Sequence, residues 1–529
     1  MAARQTAYDE IPYLSNPFRQ TRPERLAAVA KLFGLDSPAV ESCRVLELGC
    51  STGGNLVAMA QDYPRARFLG IDASARQVAD GWKTVDTLGL KNIQLRHLDI
   101  LDIGDDIGEF DYIVSHGVFS WVPARVQNKM LAICQRHLAP NGVAYLSYNT
   151  YPGWHIRGIV RDMMFYRGMQ FSDPDTRLKQ AKSLVEFIAQ ASRGEDSPYK
   201  RLLQSELKHI GQMEDYYLHH EHLEENNQPL YFHEFAKKIA VSGLQYLGDA
   251  DFSTMVSTNF SAEVAKTLHE LGAHDIVQME QYMDFVRCRY FRKSLVCHSG
   301  VRLNRTLTPR VVRGLLLASN AAPPAGELAL DPAQTVPFQT PAGPKLSCRA
   351  PITKAALRIL LNEWPIHVAF EELLARARGE AAAAGHPAGE ASEEFLAGEM
   401  LTGMAAGVIE WRLTPVPFTT VVGSTPAATA FARLQASQGY KVTNLRAESV
   451  TLDEIHRQTL RQLDGSRSVG QIAEALLGAV RQGALVLQRE SDKSPVTDEK
   501  EMRQLLGPAL EKVLANLAKK ALLLRQDAK

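Results

Sequence analysis

Val45-Leu46-Glu47-Leu48-Gly49-Cys50-Ser51-Thr52-Gly53-Gly54-Asn55 is the stretch that decides the fold. A short apolar run enters a cluster of small residues, and a helix-like segment, 56–62, follows. Small residues at a strand-to-helix turn let the backbone approach a ligand closely. The spacing is Gly-x-x-x-Gly-Gly, so the Gly-x-Gly-x-x-Gly fingerprint that holds a pyrophosphate is absent. In an open, mostly parallel sheet, the crevice beyond the carboxyl ends of the strands is where ligands bind.

Outward from this turn, apolar runs at 44–48, 67–71, 93–98, 111–115 and 142–148 predict strands. Helical periods at 75–88 and 126–138, with 56–62, separate them. Strand and helix alternating at this spacing imply βαβ units and an α/β, Rossmann-like domain. Pro140-Asn141-Gly142 reads as a turn feeding the last strand. The second strand ends in Gly70-Ile71-Asp72-Ala73 and the third in His97-Leu98-Asp99-Ile100. The fourth carries Phe110-Asp111-Tyr112-Ile113-Val114-Ser115-His116-Gly117-Val118-Phe119.

The expected division is an N-terminal arm and helix at 1–42, the sheet domain at 43–165 and a mainly helical middle domain at 166–320. A linker at 321–350 and a winged-helix-like α+β domain at 351–529 follow. Within the middle stretch, 282–286 reads as a short strand. The run EAAAAGHPAGEA at 380–391 is low-complexity and reads as a mobile insertion.

Lysine plus arginine and aspartate plus glutamate stand at 59 each, so the formal net charge is zero. That argues against a partner held mainly through nucleic-acid phosphates, which calls for a basic face. Arg289, Arg292 and Lys293 form the best candidate basic patch and read as a solvated face. The six cysteines include no CxxC pair, so neither a zinc knuckle nor a redox motif is signalled. His219, His220, His222 and His233 lack the HExxH pattern, and no metal is expected. No apolar run is long enough for a membrane span, the N-terminus has no apolar leader, and a cytoplasmic location is expected.

The ordered set of glycine loop, Asp72, Asp99 and FDYIVSHGVF resembles class I S-adenosylmethionine (SAM)-dependent methyltransferases. SAM has no phosphate, which suits a turn without the pyrophosphate fingerprint. The resemblance implies SAM as cofactor, held by Glu47, Gly49, Cys50, Gly53, Gly54, Asn55, Asp72, Ala73, Asp99, Ile100 and His116. Asp72 would accept from the ribose hydroxyls and Asp99 from the adenine amino group, with Ile100 against the ring.

Several segments resemble a narrower family. They are Tyr8-Asp9-Glu10-Ile11-Pro12-Tyr13, TRPERLAAVAKLFGL (21–35), SHGVFSWVP (115–123), SYNTYPGWH (147–155), HHEHLEENNQPLYFHEF (219–235) and RYFRKSLVCH (289–298). They are similar to bacterial methyltransferases with a methyltransferase regulatory domain, including the rickettsial outer-membrane-protein lysine methyltransferases. The resemblance implies a protein substrate bearing lysine, a homodimer formed through the middle domain, and a C-terminal winged helix.

Methyl transfer to an amine needs a desolvated, aromatic site at the strand tips, because burial favours the neutral amine and aromatic faces stabilise cations. His116, Tyr148 and Trp154 are the expected catalytic residues. Trp121, Asn149, Tyr151, His155 and His220 are expected to meet substrate, and Tyr8 and Tyr13 to cover the cofactor as a lid. Two other functions fit the same residues: a small-molecule methyltransferase of a biosynthetic pathway, and a non-catalytic SAM-binding regulator.

Overall fold

The structure is a computed structural model that describes residues 11, 13, 15–191, 197–272, 275–325, 328–489, 494–496 and 498–525. Its centre is a seven-stranded sheet in the order β3-β2-β1-β4-β5-β7-β6. The strands are β1 Arg44–Leu48, β2 Arg67–Asp72, β3 Ile93–His97, β4 Phe110–Ser115, β5 Leu138–Asn149, β6 Leu244–Asp249 and β7 Phe291–His298. The first five are mutually parallel, and β7 runs antiparallel to both β5 and β6.

The side-chain period of two divides each central strand between two apolar layers. Val45, Phe68, Tyr112, Val114, Val143 and Tyr145 enter one core. Leu46, Ile71, Ile113, Ala144, Leu146 and Tyr148 enter the other. Sheet order places β1 between β2 and β4. The chain leaves β1 toward opposite sides there, and a crevice opens at the carboxyl ends.

β6 and β7 arise within the stretch read as helical, so the catalytic sheet crosses the expected boundary at 165. The expected strand at 282–286 is instead part of the helix Ile276–Arg287. Its Met283 and Asp284 are buried while Phe285 and Val286 are 47% and 53% exposed, a pattern with the helical period. Asp275 caps this helix by accepting from the Val277 N–H at 2.8 Å.

The expected solvated basic face is also corrected. Arg292 is fully buried and pairs with Glu280 at 2.9 Å and Asp284 at 2.7 Å. Arg289 pairs with Asp249 at 2.6 Å, and Lys293, on the other face of β7, with Asp251 at 2.7 Å. The two pairs of Arg292 bind the helix Ile276–Arg287 to the antiparallel part of the sheet.

Pro140-Asn141-Gly142, read as a turn, lies inside β5 where the register with β4 slips. The expected linker is folded: Val336–Gln339 pairs antiparallel with Lys345–Cys348, and Phe338 is fully buried. The run at 380–391 is no free insertion either. Its first residues complete the helix Phe370–Ala383, with Ala381 fully buried, and the next helix begins at Ser392.

The helices Pro174–Ala191 and Pro198–Ile210 share a small core with Val160, Met164 and Leu218. Helices at Pro351–Glu363 and Ser392–Ala405 pack into the core of one sheet face through Ile352, Leu360 and Met400. A last body, from Ala428 to Leu523, has its own core; it combines four helices with the hairpin Lys441–Thr443/Ser449–Thr451.

Candidate active site

A cavity of about 500 Å³ occupies the crevice at the carboxyl ends of β1, β2, β3 and β4. Gly49 and Gly53 have φ of +77° and +71°, conformations open to glycine. A Cβ on Gly49 would come within 2.4 Å of Val118 Cγ2, so the backbone itself forms the wall there. The Gly49 and Cys50 N–H groups donate to the Ile71 carbonyl at 2.8 and 3.1 Å. Asp72 secures the same loop by accepting from the N–H of Ser51 at 2.7 Å and of Ser74 at 2.8 Å.

Glu47 points into the cavity from β1 and is buried. Asn55 Nδ2 donates to its Oε1 at 2.8 Å, while Oε2 has no partner among the described residues. Burial pushes this carboxyl up to about 8, so it is largely protonated at neutral pH until a cation arrives. Asp99 accepts from the Leu101 N–H at 2.9 Å, and with Ile100 and Ala73 it lines the far end.

The opposite wall carries His116, whose Nδ1 lies 2.8 Å from the Tyr145 hydroxyl. Burial, with Lys293 nearby, pulls its imidazole down to about 3, so it is neutral at physiological pH. Phe18 lies against His116, and its N–H donates to Asn55 Oδ1 at 3.0 Å.

The outer half of the cavity comes from further along the chain. The helix Asp215–His222 supplies Tyr217, His220 and Glu221; the helix Gly153–Gly168 supplies Arg157. Tyr13 packs edge-on against Tyr216 at 5.8 Å and against His220 at 5.6 Å. The Ile11 carbonyl lies 3.0 Å from His220 Nε2, which ties the arm to this helix. Burial pushes Glu221 up to about 7, against the pull of Arg157 and a hydrogen bond from Tyr217. Arg157 Nη1 lies 3.8 Å from Glu221 Oε1, and its guanidinium stacks 3.8 Å over the Tyr290 ring.

The cavity wall brings together Tyr13, Glu47, Gly49, Cys50, Asn55, Asp72, Ala73, Asp99, Ile100, His116, Trp121, Asn149 and His220 from the sequence reading. Gly53 and Gly54 shape the turn behind it: Gly54 N–H donates to Ser15 Oγ at 2.8 Å. Four expected residues lie elsewhere. Tyr148 points to the other face of β5, stacks on Phe235 at 4.2 Å and bonds Ser294 Oγ at 3.1 Å. Trp154 is buried behind Trp121, edge-on at 6.0 Å. Tyr151 and His155 stack on each other at 4.0 Å and join Tyr231 outside the cavity. Tyr8, with Asp9 and Glu10, lies outside the described residues.

Phe18, Arg157, Tyr217, Glu221 and Tyr290 were missed. Tyr217 and Glu221 are four residues apart on one helix face, a spacing legible in the histidine-rich run had the carboxylate been weighed beside the histidines. Among the described residues no group of three or more histidine, cysteine or acidic side chains is arranged to hold a metal, and no helix is long and apolar enough to cross a membrane.

The family described as "Methyltransferase domain" matches residues 45–142, "Predicted methyltransferase regulatory domain" matches 214–298, and "PKMT, C-terminal winged helix domain" matches 424–522. An uncharacterised protein of Rickettsia prowazekii is 36% identical over 522 residues, which cover 96% of this chain and 93% of that protein. The structure of PKMT2 from Rickettsia typhi in complex with AdoHcy superposes with a TM-score of 0.86 at 30% identity, covering 97% of this chain and all of that one. The glycine loop, the cluster at the strand tips and these full-length likenesses agree: the chain belongs to the SAM-dependent methyltransferases that join a class I catalytic domain to a methyltransferase regulatory domain and a PKMT-type winged helix.

Proposed function

We propose that the chain methylates lysine side chains of a protein substrate. The observation that carries this reading is the outer half of the cavity, whose lining joins the Glu221 carboxylate, 3.8 Å from Arg157, with the aromatic rings of Tyr13, Tyr217 and Trp121. A carboxylate among aromatic rings receives an ammonium by charge and by cation–π attraction. The similarity to a solved structure named PKMT2 supports the same substrate class.

In this reading Glu47, Gly49, Asp72, Asp99 and Ile100 hold the cofactor. SAM, when bound, supplies an electrophilic methyl group on a sulfonium. The chain's own residues do the rest. Tyr13, Tyr217 and Trp121 exclude water from the substrate amine and lower its pKa. Glu221 accepts the proton that the ammonium must lose. Neutral His116 borders the methyl path without adding a repelling charge, and Phe18 holds it in place. Tyr166 and Phe187, 75% and 64% exposed on the middle helices, support a homodimer formed through that region.

The test is transfer of labelled methyl from SAM into a bacterial extract, with labelled protein hydrolysed to amino acids. Recovery of methyl-lysine is expected. Label confined to small molecules would replace this reading with a biosynthetic one.

A further inference from the structure

We propose that Arg157 is a positioning residue of the outer cavity: locked between His209 and Tyr290, it holds Glu221 ionised from a distance that leaves the carboxylate able to take a proton. The proposal rests on the reading of Glu221 as the group that accepts the proton of the acceptor amine.

Among the described residues Arg157 is the one lysine or arginine that lines the cavity. It sits one turn into the helix Gly153–Gly168, and its side chain is 14% exposed. Two contacts fix the guanidinium. It lies 3.8 Å over the Tyr290 ring, and Nη2 donates to His209 Nε2 at 3.0 Å. A guanidinium has only donors, so His209 is the acceptor there and is neutral. Burial and Arg157 itself hold that imidazole below its ordinary range. Gly153 brings Tyr290 up to the same helix: a Cβ on it would stand 2.6 Å from Tyr290 Cβ.

The lock sets a spacing. Elsewhere in the chain Arg489 forks onto Glu501 with both bonds at 2.6 Å. Arg157 Nη1 stops 3.8 Å from Glu221 Oε1, beyond hydrogen-bond length. Charge still acts at that distance, because the Glu221 side chain is 11% exposed and little water screens the pair. No N–H of Arg157 then occupies an oxygen lone pair that an amine proton would need.

The other groups around the pair do not supply this charge. The Tyr13 and Tyr217 phenols are pushed up by burial and stay neutral. His220 and His222, on the helix of Glu221, are pulled down by burial to about 4 and about 3 and stay neutral as well. Arg161, one turn beyond Arg157, acts on Glu221 more weakly; it is bonded to the Glu224 carbonyl and lies 3.7 Å from Asp162. Without Arg157, burial would keep Glu221 protonated at neutral pH, and a protonated carboxyl takes no further proton.

The test reads Glu221 twice in the full chain. An NMR titration of the glutamate side-chain carboxyl carbons, without ligands, follows it directly; its signal is the one missing from Glu221→Gln. The pH profile of labelled-methyl transfer from SAM into extract protein follows it in turnover. In Arg157→Met the carboxyl midpoint and the acidic limb should both rise by about one pH unit or more, the usual effect of removing a neighbouring opposite charge. Arg157→Lys, which keeps the charge, should titrate close to the parent. Arg157→Gln replaces the Met variant if that chain does not fold. A carboxyl that stays in place without the charge, or moves as far in Arg157→Lys as in Arg157→Met, would overturn the proposal. A carboxyl that moves while the limb stays would uphold the lock and remove Glu221 as the proton acceptor, so that outcome overturns the underlying reading instead.

Discussion

The Phe18 ring sits 3.9 Å from the His116 imidazole, centroid to centroid. One residue comes from the N-terminal arm and the other from the tip of β4, so the contact closes the arm over the cofactor cavity. Phe18→Ala removes that closure while leaving the backbone bond to Asn55 possible. Affinity for SAM should fall about tenfold, close to 1.4 kcal/mol, in a calorimetric titration. Unchanged affinity would mean that the arm does not cover the cofactor.

Glu47 links cofactor binding to pH. Its carboxyl is raised by burial from the ordinary 4.5 to about 8. A group raised in the folded chain adds stability that is complete below its unfolded value and is lost as pH climbs through the folded one. The empty protein should therefore lose stability between about pH 4.5 and 8, and Glu47→Gln should flatten that slope. A cationic ligand draws the carboxylate back to its charged form. Binding should release a proton at pH 7 and tighten as pH rises toward 8. Calorimetry in buffers of different ionisation enthalpy measures the release, and an absent release would contradict the placement of Glu47.

Methyl transfer should carry an acidic limb near pH 7 that belongs to Glu221, raised there by burial, and not to His116, which stays neutral down to about 3. Glu221→Gln should lower kcat/KM for the acceptor by about 10²-fold, within the usual range for a general base, and should abolish the limb. Its affinity for SAM should be unchanged. His116→Asn should keep the limb. A limb that survives in Glu221→Gln assigns the proton elsewhere.

Tyr148 should matter for stability and not for chemistry. Its hydroxyl meets Ser294 Oγ inside the core, away from the cavity. Tyr148→Phe leaves Ser294 short of a partner and should cost about 1 kcal/mol of unfolding free energy, read by denaturant titration. Turnover should be that of the parent chain at temperatures where both are folded. A large loss of kcat without a loss of stability would return Tyr148 to the active site.

Much of this was legible without coordinates. The glycine loop, the acids at the ends of β2 and β3, and the alternation of strand and helix are local features. Steric limits at Gly49 and Gly53 and side-chain periods of two and 3.6 act over a few residues, so a one-dimensional reading captures them. The inner half of the cavity is built from those features, and many of the residues that line it were among those singled out in the sequence.

What failed shares one cause. Tyr145 and Tyr148 are both aromatic residues of β5, but an odd separation on a strand sends them to opposite faces. Tyr145 reaches His116, while Tyr148 packs on Phe235. Periodicity tells that the faces differ and not which one meets the cofactor. Arg292 looked exposed because its partners, Glu280 and Asp284, lie on the buried face of a helix whose last part, 282–286, reads as a strand in the sequence. Glu221 and Tyr217 reach the cavity only because the helix Asp215–His222 returns to a crevice formed more than a hundred residues earlier. The sequence by itself determined the sheet domain and its cofactor turn, since local sterics and side-chain periods suffice for them. Only the tertiary structure decided which aromatic rings and carboxylates face the cavity, because burial on a chosen face and contacts between distant segments are properties of the packed chain.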